Sequence, residues 1–577
     1  MDIRRFAIIF GLAISTYFLI LSWNDDYGQA AVANAPIAQT DAVIVDDVPS
    51  ASAVKPAAES TDSDVPQVEV AGEVKAEPVA QASTQNIVVN TDVLNVTISP
   101  LGGEVLEVSL PAYPATNDNK DIPFVLLENN ARRTYVAQSG LLNAKGEQWE
   151  KTQPYAVEAQ SFKLADGQDA LEVVLTNQVD GVDVKKIFTF TRGSYSIGVK
   201  YQLNNQTDAD WRGVFYAQLK RDRSEDPHQG SSMGMAAYLG PAITTNTSNY
   251  EKVTFDDIDD QPLKETVDGG WVAMLQHYFV SAWVPAQDIP HSVYAKKNAQ
   301  FEYIVGFHDA KTPLKAVAGG TAETSAELYV GPKIQYDLAK VSENLDLTVD
   351  YGWLWWIAQP LFATLNFIEG GYINFLGLVE IDLGGGVGNW GVAIILLTIL
   401  IKLAFFKLSA TSYRSMANMR KVSPKLQQIR EQYGDNREKL GQEMMKLYKT
   451  EKINPLGGCL PILVQMPVFI ALYWVLAESV ELRQAPFFLW INDLSAIDPY
   501  FVLPLIMGAS MFIQMQLNPT PPDPVQARVM KLMPVIFTVF FLFFPSGLVL
   551  YWVVNNILSI AQQYVITKQI ENADSDK

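Results

Sequence analysis

Lys402 interrupts an apolar stretch that runs uncharged from Val387 to Ile401 and resumes to Phe406. A charge inside a membrane span is costly and usually faces a bundle interior or an aqueous cavity. The competing reading is snorkelling. Lys407 lies five residues on, about 7–8 Å along a helix, nearly within reach of a long side chain. Polar neighbours tip the choice. Thr398 sits one turn before Lys402 on the same face. Tyr551, Asn555, Ser559 and Gln562 recur at i, i+4, i+8 and i+11 as one polar stripe, and Gln465 and Gln514 add amides to two other apolar stretches. Interhelical hydrogen bonding accounts for any one of these. Together with a cation they describe a hydrated groove. No carboxylate falls inside the apolar stretches, so a proton relay lacks its partner group. A lone cation in a wet groove suits brief attraction of acidic segments of another polypeptide.

Other chemistries find little support. The four histidines, His228, His277, His291 and His308, show no metal-ligand spacing, and one thiol, Cys459, excludes a disulfide framework or a multi-Cys metal cluster. Gly230-Ser231-Ser232-Met233-Gly234 spells G-x-S-x-G, but the preceding Lys220–Gln229 reads as a charged loop rather than a strand, so a surface loop is expected. Gly386–Gly391 spells G-x-G-x-x-G without a βαβ context. No Walker A sequence is present. Neither a cofactor nor a metal is expected, and the protein is not expected to be an enzyme.

The elements that must position the groove follow from charge and hydropathy. The chain has 577 residues and a net charge of −20, which argues against direct nucleic-acid binding. Residues 24–350 alone carry 24 Lys+Arg and 46 Asp+Glu, so the remainder is apolar with a slight basic excess. Phe6–Ser22 is uncharged and follows Arg4 and Arg5. It is long for a signal-peptide core, although Ala33-Asn34-Ala35 offers a cleavage site, so an uncleaved anchor at 1–23 is favoured. Leu532–Thr567 is 36 residues without a charge, about 54 Å as one helix, and Pro545-Ser546-Gly547 inside it marks a turn between two helices. The expectation is six transmembrane helices: the anchor, 387–408, 453–478, 500–517, 525–544 and 547–567. Basic residues flanking them place both termini, a hairpin at 409–452 and the tail 568–577 in the cytoplasm, and the acidic block outside.

That block divides into a flexible linker at 24–85, poor in aromatics, and an all-β domain at 86–350. Leu171–Leu175 and Lys186–Phe190 flank Asp180-Gly181, a hairpin signature, and helical periodicity is scarce, so a β-sandwich is expected. Trp353, Trp355 and Trp356 adjoin an apolar stripe of Leu354, Ile357, Leu361, Leu365 and Ile368, which reads as an interfacial helix over 351–370. In the 409–452 segment, Met416, Met419, Val422, Leu426, Ile429 and Tyr433 pair with Leu440, Met444 and Leu447 as two antiparallel helices. Asp435 with Glu438 reads as a capping box for the second. The hairpin is basic, with Arg414, Arg420, Lys421, Lys425 and Arg430 as candidate partner contacts.

Several runs resemble the YidC/Oxa/Alb membrane-protein insertases, in the Gram-negative form with a large outer domain. They are Asp350–Trp355, Asn454–Cys459, Gln465-Met466-Pro467, Glu481–Phe487, Phe544–Trp552 and, in the outer domain, Leu328–Pro332. The resemblance is dense over about 350–568. It implies a multi-pass protein of the bacterial inner membrane with a periplasmic β-supersandwich. It also implies a groove open to the cytoplasm and the lipid and closed toward the periplasm, which inserts and helps fold client transmembrane segments. The family's groove cation, usually Arg, falls on Lys402, its hydroxyl neighbour on Thr398, its amide on Gln514 and its aromatic on Trp552, beside Tyr551, Asn555 and Ser559. Implied partners are nascent membrane proteins, the Sec translocon, membrane lipids and the ribosome, although the tail Glu571–Lys577 is short and acidic where some relatives are basic. The alternatives are a channel or small-solute transporter, and a scaffold for an outer carbohydrate-binding domain.

Overall fold

The computed structural model describes residues 85–575, apart from 144, 227–236, 310–312, 376–378, 435, 452–459 and 519–523. The anchor at 1–23, nearly all of the linker and the Gly230–Gly234 motif lie outside the described residues.

Asp180 and Gly181 take positive φ, 54° and 76°, as a two-residue type I′ turn requires. They join Ala170–Val179 to Val182–Thr191 with Val179 opposite Val182. Such pairing builds two sheets, of eleven and nine strands. The nine-stranded sheet runs in the order Glu251–Lys252, Gly240–Ile243, Val272–Leu275, Phe279–Val284, Thr321–Pro332, Ser196–Asn205, Val182–Thr191, Ala170–Val179, Ala156–Val157. The larger sheet is centred on Trp211–Arg221 and Arg133–Asn143, paired antiparallel from Gly213↔Asn143 to Arg221↔Tyr135. Val173, Val184 and Phe188 of the smaller sheet meet Val108, Leu126 and Leu219 of the larger in one core.

Alternation along Val182–Thr191 points Lys186 inward with its apolar neighbours. Its Nζ donates to Gly102 O (2.9 Å) and Ser139 O (3.0 Å). Nearby, the buried Glu150 accepts from Tyr155 Oη (2.8 Å) and Leu141 N (3.1 Å). Burial pushes Glu150 up to about 7 against the opposing pull of Lys186, and lowers Lys186 to about 8. A carboxyl raised on folding contributes stability that is complete below its unfolded value and lost as pH rises through the folded one. Glu150 therefore weakens the outer domain between about pH 4.5 and 7. Glu150→Gln is expected to flatten that slope in urea unfolding of the outer domain at pH 5 and pH 8.

The chain leaves the sandwich through Gly352. Its φ of +63° favours glycine, and a Cβ there would stand a tight 3.3 Å from the Trp474 ring. Helix α1 (Trp355–Gly370) then buries Ala358, Phe362 and Leu365, while Trp353, Trp355 and Trp356 stay 73%, 58% and 59% exposed. That polarity fits a helix lying on a membrane surface.

Seven further α-helices follow among the described residues: α2 (Trp390–Ala404), α3 (Phe406–Tyr433), α4 (Arg437–Thr450), α5 (Leu460–Glu478), α6 (Val502–Leu517), α7 (Pro524–Phe541) and α8 (Ser546–Ser575). Among the described residues no single helix is long and apolar enough to cross a membrane, whereas α2 with Phe406–Val422, bent by 67°, is. Helix α8 has the length, with 30 residues. Its polar stripe lowers its hydropathy. Exposed apolar side chains nonetheless band these helices, among them Leu400 and Leu403 on α2, Phe512 and Ile513 on α6, and Val535 and Val539 on α7. Large apolar side chains exposed in such number belong against lipid or a partner.

Two local expectations are corrected. The stretch 387–408 is not one straight helix, because it breaks at Phe405, where the hairpin helix α3 starts. The N-cap of α4 is Asn436, whose side chain accepts from Lys439 N (3.0 Å), one residue beyond the expected Asp435. Amides and carboxylates cap equally well, so the residue type alone does not fix the position. The hairpin's apolar seam forms as expected, with Val422 and Leu426 buried against Met419, Met444 and Leu447.

Candidate client groove

Lys402 occupies the last turn of α2, one turn from the bend. Its Nζ donates to Ser559 Oγ on α8 (2.7 Å), and Ser559 Oγ donates to Asn555 O (2.7 Å). The side chain thus turns into the helix bundle rather than along the surface. Among the described residues Lys402 forms no ion pair. Further along α8, Gln465 Nε2 of α5 donates to Tyr551 Oη (3.2 Å) and to Asn555 Oδ1. Three helices are joined by side chains that share one polar lining, and a small pocket between Lys402, Phe405, Ser409 and Gln465 opens beside it. Each buried polar group needs such a partner, because leaving one unpaired costs about 1–3 kcal/mol.

The other expected groove residues divide. Thr398 is fully buried, and its hydroxyl donates back to Ile394 O (2.7 Å). It sits beside the groove and spends its donor on its own helix. Trp552 packs edge-on against Phe469 with ring centroids 4.7 Å apart, and its buried Nε1 has no partner among the described residues. Gln514 is half-buried on α6 and stays outside the Lys402 network. Gln562 donates to Phe406 O at the bend (3.2 Å).

Sequence reasoning missed the contribution of α3. Ser409 and Ser412 are buried, and Tyr413 reaches Ser559. Their spacing at i, i+3 and i+4 just past Lys407 was the available signal. Spacing alone assigns these residues to the hairpin, because it carries no mark of the bend at Phe405. Of the basic hairpin residues, Arg414, Arg420, Lys421 and Lys425 are exposed and Arg430 is half-buried. Lys425 is engaged within the hairpin, with its Nζ 2.6 Å from Glu451 Oε1.

Two protein families account for the described chain. Residues 86–364 match the YidC periplasmic domain and residues 383–573 match the 60Kd inner membrane protein family. Among similar proteins, the membrane protein insertase YidC of Stutzerimonas stutzeri (strain A1501) is 53% identical over 99% of both chains. That of Azotobacter vinelandii (strain DJ) is 52% identical, also over 99% of both. A solved structure described as active YidC insertase with the first transmembrane domain resolved has 19% identity and a TM-score of 0.37, covering 84% of this chain and 92% of that one.

Proposed function

The chain belongs to the YidC family of membrane protein insertases, and from that premise we propose how its groove does the work. It is an inner-membrane insertase with a periplasmic β-sandwich, and its clients are nascent membrane proteins. The polar flank of a client enters between α2, α5 and α8, is held briefly by Lys402, and crosses a shortened, hydrated path. Burial of the client's apolar helix in lipid then drives the step forward. Moving polar groups through hydrocarbon unaided costs several kcal/mol each, which is the barrier the groove lowers.

A cation bonded to a hydroxyl rather than to a carboxylate carries this reading (Lys402 Nζ to Ser559 Oγ, 2.7 Å). A salt-bridged lysine has its counter-charge already. This one retains its attraction for an incoming acidic segment.

With both termini in the cytoplasm, the basic hairpin α3–α4 faces the Sec translocon, the ribosome and anionic lipid headgroups. The test is a photo-crosslinker placed at Trp552 and, separately, at the exposed Ile557. Arrested client chains are expected to crosslink at Trp552 well above the level at Ile557. Equal crosslinking at both sites would remove the groove from the route. Proteoliposomes holding only this protein should insert a client without solute flux, which separates an insertase from a channel.

A further inference from the structure

The loop between α5 and α6 is tied to two bodies at once. Toward the outer domain, Arg483 Nη2 donates to Pro114 O (2.7 Å) and the guanidinium lies over Phe124 and Phe279, 5.7 and 5.6 Å from their ring centroids. Those rings belong to different sheets, so Arg483 touches both layers of the sandwich. Val480 is counted within the sandwich core itself. Toward the helices, the same loop receives the start of α8. Ser546 N donates to Ala496 O (2.7 Å), Gly547 N to Leu494 O (2.9 Å), and Ile497 bridges Pro545. The first N–H groups of a helix have no partner within it, and here loop carbonyls supply them. The fit is close: a Cβ on Gly547 would stand 3.1 Å from Leu494 O and 3.4 Å from Ile394 Cδ1.

Asp493 joins the two sides. Its Oδ1 accepts from Gln484 N (3.1 Å), Ser495 N (2.8 Å) and Ser495 Oγ (2.6 Å). Its Oδ2 accepts from Asn117 Nδ2 of the outer domain (3.4 Å). Its backbone O accepts from Ser546 Oγ (2.8 Å). The carboxylate therefore fixes the shape of the loop and its hold on the outer domain, and the backbone carbonyl of the same residue holds the turn above Tyr551. That turn stands about one and a half helical turns from the polar lining, on the side away from the hairpin.

We propose that Asp493 is a positioning residue for the outer seal of the groove, and that the outer domain braces this seal through Asn117 and Arg483. The proposal rests on the groove reading above. Asp493 touches no client. It holds the loop that prevents the groove from opening through to the outside.

The test uses the full chain with Cys459→Ser and a reporter at Asn555→Cys, in membrane vesicles of each orientation, with a membrane-impermeant maleimide. With Asp493 intact, labelling is expected from the hairpin side only. Asp493→Ala is expected to raise labelling from the outer-domain side by about tenfold, leaving labelling from the hairpin side unchanged, because several bonds to a charged acceptor are lost together. Asp493→Asn keeps an acceptor for Gln484 N and Ser495 N and should restore most of the seal. Unchanged outer-side labelling in Asp493→Ala would overturn the proposal. Should that variant fail to accumulate, Ser546→Ala and Ser495→Ala each remove one bond and are expected to raise outer-side labelling by about threefold. No rise in either overturns it equally. Absence of hairpin-side labelling with Asp493 intact would instead reject the groove reading itself.

Discussion

Lys402→Glu is expected to reduce insertion of clients with acidic translocated tails by about tenfold or more, and of neutral-tailed clients by less than about threefold. Two unit charges 4 Å apart interact by about 4 kcal/mol at an effective dielectric of 20. Reversing the sign at Lys402 turns that attraction into a repulsion of similar size, and each 1.4 kcal/mol or so is a factor of ten. Neutral tails lose only the local hydrogen bond to Ser559 (2.7 Å). Lys402→Gln separates the two effects, since an amide still donates to Ser559 without the charge. It should fall between the wild type and Lys402→Glu for acidic tails and match the wild type for neutral ones. Lys402→Arg keeps the charge and should stay within about threefold of the wild type for both. Protease accessibility of the client tail after insertion into proteoliposomes gives the readout. Equal loss of both client classes in Lys402→Glu would rule out charge attraction.

The polar stripe of the candidate groove was legible in the sequence because a helix repeats every 3.6 residues. Tyr551, Asn555 and Ser559 declare a shared face without any knowledge of what they touch. Lys402 was legible because a charge in an apolar run needs an explanation wherever it lies. What spacing cannot supply is the partner on another helix. That Gln465 meets Tyr551 and Asn555, or that Asn556 donates to Ser510 Oγ (3.1 Å) on α6, follows from packing alone. The sandwich was legible from Asp180-Gly181 and the alternation beside it, yet Lys186 sits at an inward position that a pattern reading would fill with an apolar residue. The α5–α6 loop was the least legible part. Its polar residues read as a surface connection, because Asp493 and Asp498 look alike until their donors are known. Asp498 caps α6 through Leu503 N (2.7 Å) and holds Trp490 Nε1 (3.0 Å). Asp493 ties the loop to its neighbours.

The contact between the outer domain and α5 carries the second large expected effect. Lys333 Nζ stands 3.1 Å from Glu478 Oε2, with side chains only 4% and 9% exposed. His277 Nε2 lies 2.7 Å from Ala477 O, one residue earlier on the same helix end. Burial holds His277 below its ordinary value, so the neutral ring donates its Nε2 proton to that carbonyl. Around them, Ala273, Val280 and Tyr329 of the nine-stranded sheet share one apolar cluster with Leu472 and Val475 of α5. The charges gain little over an apolar pair of the same shape, because desolvation offsets their attraction, whereas removing one of them strands the other. Lys333→Met is therefore expected to weaken docking by about 3–5 kcal/mol, and Lys333→Met with Glu478→Leu to recover most of it. The histidine adds a pH dependence. A group whose pKa falls on folding contributes stability that is present above its unfolded value, near 6.5, and lost as pH drops through the folded one. Acidification below about 6.5 should loosen the junction, and His277→Gln, which keeps a donor that cannot titrate, should remove that sensitivity. Hydrogen exchange at the Ser479 amide, bonded to Val475 O (3.1 Å), reports the opening directly. Protection that survives Lys333→Met unchanged would mean that the apolar cluster alone sets the docking, and that the buried charges serve only to choose its register.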